Sequence, residues 1–119
     1  MDVEVVKTFR FEAAHHLPCS PQGHKCRRMH GHSYRVDVHV CGGVDPSTGW
    51  VIDFGQISSL VEPLLATLDH SCLNEIPGLD NPTSEHIAKY IFDGLCSRLP
   101  GLSAVSVWES ETSRCVYRG

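Results

Sequence analysis

Hydrophobic and polar positions alternate over residues 3–15, where Val3, Val5, Phe9, Phe11 and Ala13 share one parity, interrupted by Lys7. Asp2, Glu4, Thr8, Arg10 and Glu12 mostly occupy the other, which predicts a strand. Over 17–29 the pattern collapses into Pro, Gly, Ser and basic residues, a loop of a length that often carries function. Alternation resumes over 32–41, with Tyr34, Val36, Val38 and Val40 on one side and Arg35, Asp37 and His39 on the other. Residues 42–49 are turn chemistry. A helical period follows in Ile57, Leu60, Val61, Leu64, Leu65 and Leu68, with Pro63 inside it predicting a kink or interruption. After a second long loop, 69–82, a helix fits 84–98, with Ile87, Ile91 and Leu95 on one face and Thr83 as N-cap. Pro100-Gly101 ends it, and short strands fit 102–109 and 114–118.

This order predicts an α+β fold, a four-stranded antiparallel sheet with two helices packed on one face. The exposed edges of so small a sheet invite pairing between subunits, so a homo-oligomer is expected. Residues 1–119 are expected to form a single domain. Hydrophobic residues at 41% and charged residues at 20% suit a folded globule, and a net charge of −4 argues against a general nucleic-acid binder. No apolar run reaches the roughly 20 residues that a membrane span needs. The start Met-Asp-Val-Glu lacks the features of a secretory signal, so the expected location is the cytoplasm. There the six cysteines (19, 26, 41, 72, 96 and 115) would remain thiols, most of them small buried hydrophobes.

Of eight histidines, five lie between residues 15 and 32. His30 and His32, two apart on a strand, project to the same side about 6–7 Å apart, with only Gly31 between them. Strand parity offers His15 as a third partner, because it continues the face of Phe9, Phe11 and Ala13; His16 is the alternative should the strand end bulge. Three imidazoles with an open fourth position form the donor set of a catalytic zinc ion. Cys26 could instead close the tetrahedron and make the site structural.

Cys26 stands among His24, Lys25, Arg27 and Arg28, where positive charge favours a thiolate suited to act as base or nucleophile. The same cations offer counter-charges to a phosphorylated substrate. Asp69-His70, at the end of the first helix, is a carboxylate–imidazole pair able to tune a proton relay. Glu109 shares parity with Val105 and Val107, which places a carboxylate on the inner side, where it needs a partner such as a ligand's N–H edge. Trp108 facing inward instead is the alternative.

Taken together, Phe11-Glu-Ala-Ala-His15, Cys26-x-x-x-His30-Gly-His32, Leu68-Asp69-His70, Pro82-Thr83-Ser84-Glu85 and Glu109 resemble the 6-pyruvoyl-tetrahydropterin synthase superfamily. The likeness is greatest to its bacterial branch, the 6-carboxytetrahydropterin synthases of queuosine biosynthesis, and runs nearly end to end. It implies a tunnelling fold, in which subunit sheets join into a barrel and two trimers stack as a hexamer. It implies Zn2+ on His15, His30 and His32, Cys26 as proton acceptor, Asp69 and His70 as a relay, and Glu109 anchoring a pterin. Thr83, Ser84 and Glu85 would lie near that pterin. Residues of one active site can come from more than one chain. The implied reaction converts 7,8-dihydroneopterin triphosphate to 6-carboxy-5,6,7,8-tetrahydropterin, acetaldehyde and triphosphate. Alternatives are triphosphate elimination that keeps the side chain, and a non-catalytic zinc-stabilised module. Zinc deaminase chemistry is excluded, since the chain has neither His-x-Glu nor Pro-Cys-x-x-Cys. One departure is His16, where the family pattern leads one to expect a basic residue such as Arg.

Overall fold

Strand β1, Asp2–His15, and strand β2, His30–Gly43, run antiparallel over their whole length in the computed structural model, which describes residues 1–119. Along β1 every odd residue from Val3 to His15 is the less exposed of its neighbours, Lys7 included, so the parity read from the sequence is the parity of the sheet. Strand β2 begins two residues earlier than its hydrophobic alternation, because His30 and Gly31 pair with β1 without contributing apolar surface. The register runs from Asp2 opposite Gly43 to His15 opposite His30, with Ala13 opposite His32.

Helix α1 spans Phe54–Leu68 as one uninterrupted element. Asp53 caps it by accepting the Gly55 N–H, and the buried stripe is Ile57, Val61, Leu65 and Leu68. Pro63 does not break the helix; it lies on the exposed side, away from that stripe. Helix α2, Ser84–Leu95, starts at its expected cap, Thr83, whose hydroxyl accepts the His86 N–H. It stops short of residue 98, as the chain turns to bury Leu99 ahead of Pro100-Gly101.

The sheet has five strands rather than four, in the order β3-β1-β2-β4-β5. β4 is Leu102–Trp108 and β5 is Arg114–Tyr117. The extra strand, β3 (Ser71–Cys72), lies parallel to β1 at Ala13 and Ala14, so the sheet is mostly rather than wholly antiparallel. Two residues are too few to show a period in the sequence. Both helices cover one face, over a core of 20 buried residues that includes Phe11, Tyr34, Val36, Ile57, Ile87 and Val107. No helix is long and apolar enough to cross a membrane.

The opposite face is polar but ordered. Asp37, 3% exposed, accepts hydrogen bonds from Thr8, from the Arg35 guanidinium and from the Trp108 indole. Trp108 therefore belongs to this face, stacked between Arg35 and Arg114 at 4.7 and 4.8 Å. All six cysteines are free, but none is buried: 19, 41 and 96 are exposed and 26, 72 and 115 half-buried. The expectation of buried thiols fails because most of these residues sit in loops or at the ends of strands and of α2, while Cys115, which packs against the core, lies on the outer strand β5.

Candidate metal centre

The β1–β2 register delivers three imidazoles to one end of the sheet. His15 closes β1, His30 opens β2 directly opposite, and His32 follows on the same side. Their ring centroids lie 4.5–5.0 Å apart. One ligand atom from each, with a carboxylate oxygen of Glu109, falls within 4.8 Å of all the others. Glu109 arrives from just beyond β4, on the inner parity, while Trp108 takes the outer one. His16 is outside the group; its backbone is held by the Asn74 side chain.

Hydrogen bonding sets the tautomers. His15 Nδ1 lies 2.8 Å from the Pro82 carbonyl, and His30 Nδ1 lies 2.7 Å from the Arg28 carbonyl. A carbonyl only accepts, so both Nδ1 atoms carry the proton and both Nε2 atoms present lone pairs. Those two lone pairs face each other at 3.0 Å. His32 Nε2 is buried without a hydrogen bond; Glu109 Oε1 is 3.2 Å away but out of line for one. Burial lowers the pKa of His15 and of His32, outweighing the pull of the Glu109 carboxylate, so neither imidazole protonates readily to relieve the crowding. Two bare nitrogens, with the unpartnered His32 nitrogen beside them, fit a borderline cation such as zinc.

The surrounding shell completes the site. Glu109 Oε2 accepts the Ser84 hydroxyl at 3.1 Å, tying the carboxylate to the start of α2. Tyr34 is fully buried, and burial together with the charge of Glu109 raises its pKa, so its hydroxyl stays protonated 3.2 Å from His15 Nδ1. Thr83 is engaged as helix cap, and Glu85 in the first turn of α2 is solvent-exposed.

The other candidates lie apart from the cluster. Cys26 sits in a short 3-10 turn, Lys25–Arg27, whose His24 ring accepts the Cys26 N–H. It is not among the converging ligands. Arg27 is not a free counter-charge, since its guanidinium donates to the Pro18 and Ser20 carbonyls at 2.8 Å each and pins the loop. Asp69 Oδ1 accepts the Glu12 N–H, and its Oδ2 lies 2.8 Å from His70 Nδ1. These hydrogen bonds hold the Asp69 carboxyl below the usual carboxylate range. His70 adopts a left-handed backbone (φ 56°), and its side chain is 78% exposed. It shares an open cleft of about 540 Å³ with His32, Glu12 and Cys72. No hydrogen bond links Cys26 to Asp69 or His70 within the chain.

The sequence reading missed the Pro82 and Arg28 carbonyls, because a backbone acceptor has no side-chain signature. It also missed Tyr34, which reads as an ordinary core residue of β2.

The family model of 6-pyruvoyl tetrahydropterin synthase matches residues 4–119. The 6-carboxy-5,6,7,8-tetrahydropterin synthase of Synechocystis is 44% identical, over 95% of this chain and 91% of its own. The dihydroneopterin monophosphate aldolase of Pyrococcus furiosus is 33% identical, over 92% and 91%. Among solved structures, the 6-pyruvoyl tetrahydropterin synthase of Caenorhabditis elegans superposes with a TM-score of 0.92 at 29% identity, covering 100% of this chain and 96% of that one.

Proposed function

This chain belongs to the 6-pyruvoyl tetrahydropterin synthase family, and we propose that it is a zinc-dependent lyase of the 6-carboxytetrahydropterin synthase type. It would convert 7,8-dihydroneopterin triphosphate and one water to 6-carboxy-5,6,7,8-tetrahydropterin, acetaldehyde and triphosphate, as a cytoplasmic step of queuosine biosynthesis. The observation that carries the reading is the convergence of three imidazoles beside a carboxylate, two with bare Nε2 atoms and the third with Nε2 unpartnered. The full-length likeness to a relative of that name supports the reaction assigned to it.

His15, His30 and His32 would hold the zinc. When bound, zinc supplies a Lewis acid that acidifies the C–H and O–H bonds of the substrate side chain. Glu109, oriented by Ser84, accepts the N–H edge of the pterin ring in a bidentate fashion and fixes the side chain toward the histidines. Thr83 and Glu85 flank that anchor at the start of α2. Cys26 accepts the proton removed from the side chain, and His70, steadied by Asp69, relays it. Lys25 and Arg28 remain as counter-charges for the triphosphate.

Because no hydrogen bond joins Cys26 to the Asp69–His70 pair within one chain, the working site draws them from neighbouring subunits. β1 has a partner beyond β2 only at Ala13 and Ala14, and the outer edge of β5 is bare. Such edges suit sheet-to-sheet joining into a barrel, with two trimers stacked as a hexamer.

The test is incubation of the zinc-loaded protein with dihydroneopterin triphosphate. Acetaldehyde and triphosphate in equal amounts are expected. Triphosphate without acetaldehyde would assign the chain to the 6-pyruvoyl branch, the reading favoured by its likeness to the worm enzyme. Neither product would overturn both. Cys26→Ala should keep its zinc and lose turnover; loss of the zinc would identify a structural site with Cys26 on the metal.

A further inference from the structure

Asn74 lies in a short 3-10 turn, Leu73–Glu75, that follows β3. Its side-chain oxygen accepts the His16 N–H at 2.9 Å, and its side-chain nitrogen donates to the His16 carbonyl at 2.8 Å. The same nitrogen donates a longer bond, 3.4 Å, to the Asp80 carbonyl. The orientation of the amide is unambiguous, since a flip would set N–H against N–H and oxygen against two carbonyls. The carboxamide thus pairs with the main chain where β1 has ended, and ties that point to the loop leading into α2.

Two residues beyond Asp80 is Pro82, whose carbonyl meets His15 Nδ1. On its far side the loop is fastened as well. The Asn81 carbonyl receives the Thr83 N–H at 2.8 Å and lies 2.6 Å from His86 Nδ1. Pro82 is therefore held from both sides. His15 Nδ1 has a second possible partner in the Tyr34 hydroxyl, at 3.2 Å. Against Pro82 the nitrogen must donate, which leaves Nε2 bare toward His30 and His32. Were Pro82 to withdraw, Tyr34 could donate to Nδ1 instead. The ring proton would then move to Nε2, and the lone pair facing the cluster would be lost.

We infer that Asn74 is a positioning residue: by clamping His16 to Asp80 it presses the Pro82 carbonyl onto His15 and selects the tautomer able to bind metal. This rests on His15 being a metal ligand, the reading given above. Asn74 touches neither substrate nor metal in this account.

The experiment uses the full chain with ¹⁵N-labelled histidine. In the metal-free wild type, His15 should show a single Nδ1–H tautomer in long-range ¹H–¹⁵N spectra. Asn74→Asp keeps the shape and the acceptor but removes both donated bonds; Asn74→Ala removes all three. Each should shift His15 toward the Nε2–H form and weaken zinc binding in a chelator competition by about 10–100-fold, the usual effect of losing an outer-shell partner. Adding Tyr34→Phe to Asn74→Asp removes the competing donor and should restore the Nδ1–H form. Melting curves identify variants that are folded, and Asn74→Asp serves if the alanine variant is not. A folded variant with an unchanged His15 tautomer overturns the inference, even if its zinc affinity falls. These readouts need no substrate. A wild type with tight zinc but no acetaldehyde would sink the proposed reaction, while a tautomer shift in the folded Asn74 variants would still support this inference.

Discussion

The Nε2 atoms of His15 and His30 face each other at 3.0 Å while both rings direct Nδ1 to main-chain carbonyls. Neither ring can turn a proton inward without abandoning a short hydrogen bond, so the pair is arranged to share a cation.

Metal binding should therefore depend on this pair and not on His16. His30→Ala should lower zinc affinity by more than about 100-fold, beyond the range of an outer-shell loss. His16→Ala should leave it within a few-fold, because His16 lies outside the converging group. Competition titrations on the two variants check the contrast, and equal losses would refute it.

Glu109 is within reach of the cluster yet is also tied to Ser84. If it anchors the pterin, Glu109→Gln removes the charge that accepts two N–H donors but spares the three nitrogens. The expected result is KM raised or kcat lowered by about 100-fold or more, at roughly 3 kcal/mol for a charge-assisted pair, with zinc content retained. Loss of zinc from this variant would make Glu109 a ligand instead.

On the opposite face Asp37 makes stability depend on pH. Burial works to raise its pKa, but hydrogen bonds from Arg35, Thr8 and Trp108 outweigh that and hold it below the ordinary carboxylate value. A lowered folded-state pKa contributes stability above the unfolded value, which is lost as pH falls through the folded one. Asp37→Asn should cost about 3 kcal/mol near neutrality. The melting-temperature gap to wild type should narrow below about pH 4. A gap constant with pH would show that the carboxylate charge is not what matters.

Gly101 links α2 to β4 with φ +82°, and a Cβ there would collide with the Cys41 carbonyl, whose own N–H donates to Gly101. Gly101→Ala should cost about 2 kcal/mol, or about 8 °C in melting temperature. Gly23, also at positive φ but with open space around it, supplies the control. Gly23→Ala should cost about half as much, and equal effects would rule out the collision as the cause.

Much of this was legible beforehand because a strand's side chains alternate with period two. Parity favoured His15, His30, His32 and Glu109 on the core side with Arg10 and Arg35 opposite, and left His16 and an inward Trp108 open as alternatives that the structure closed. The two-residue β3 left no such trace. Nor did the end of α2, where burying Leu99 overrides the helical pattern. Cysteine burial was misjudged because residue type was weighed without position.

What the sequence determined by itself was therefore the set of donors and the face each occupies, since both follow from residue identity and local periodicity. The tertiary structure decided the register that sets His15 against His30, the carbonyls of Pro82 and Arg28 that orient them, and the Asn74 clamp behind Pro82. Those are contacts between segments as many as 67 residues apart, made largely by backbone atoms that every residue shares, so no local pattern can encode them.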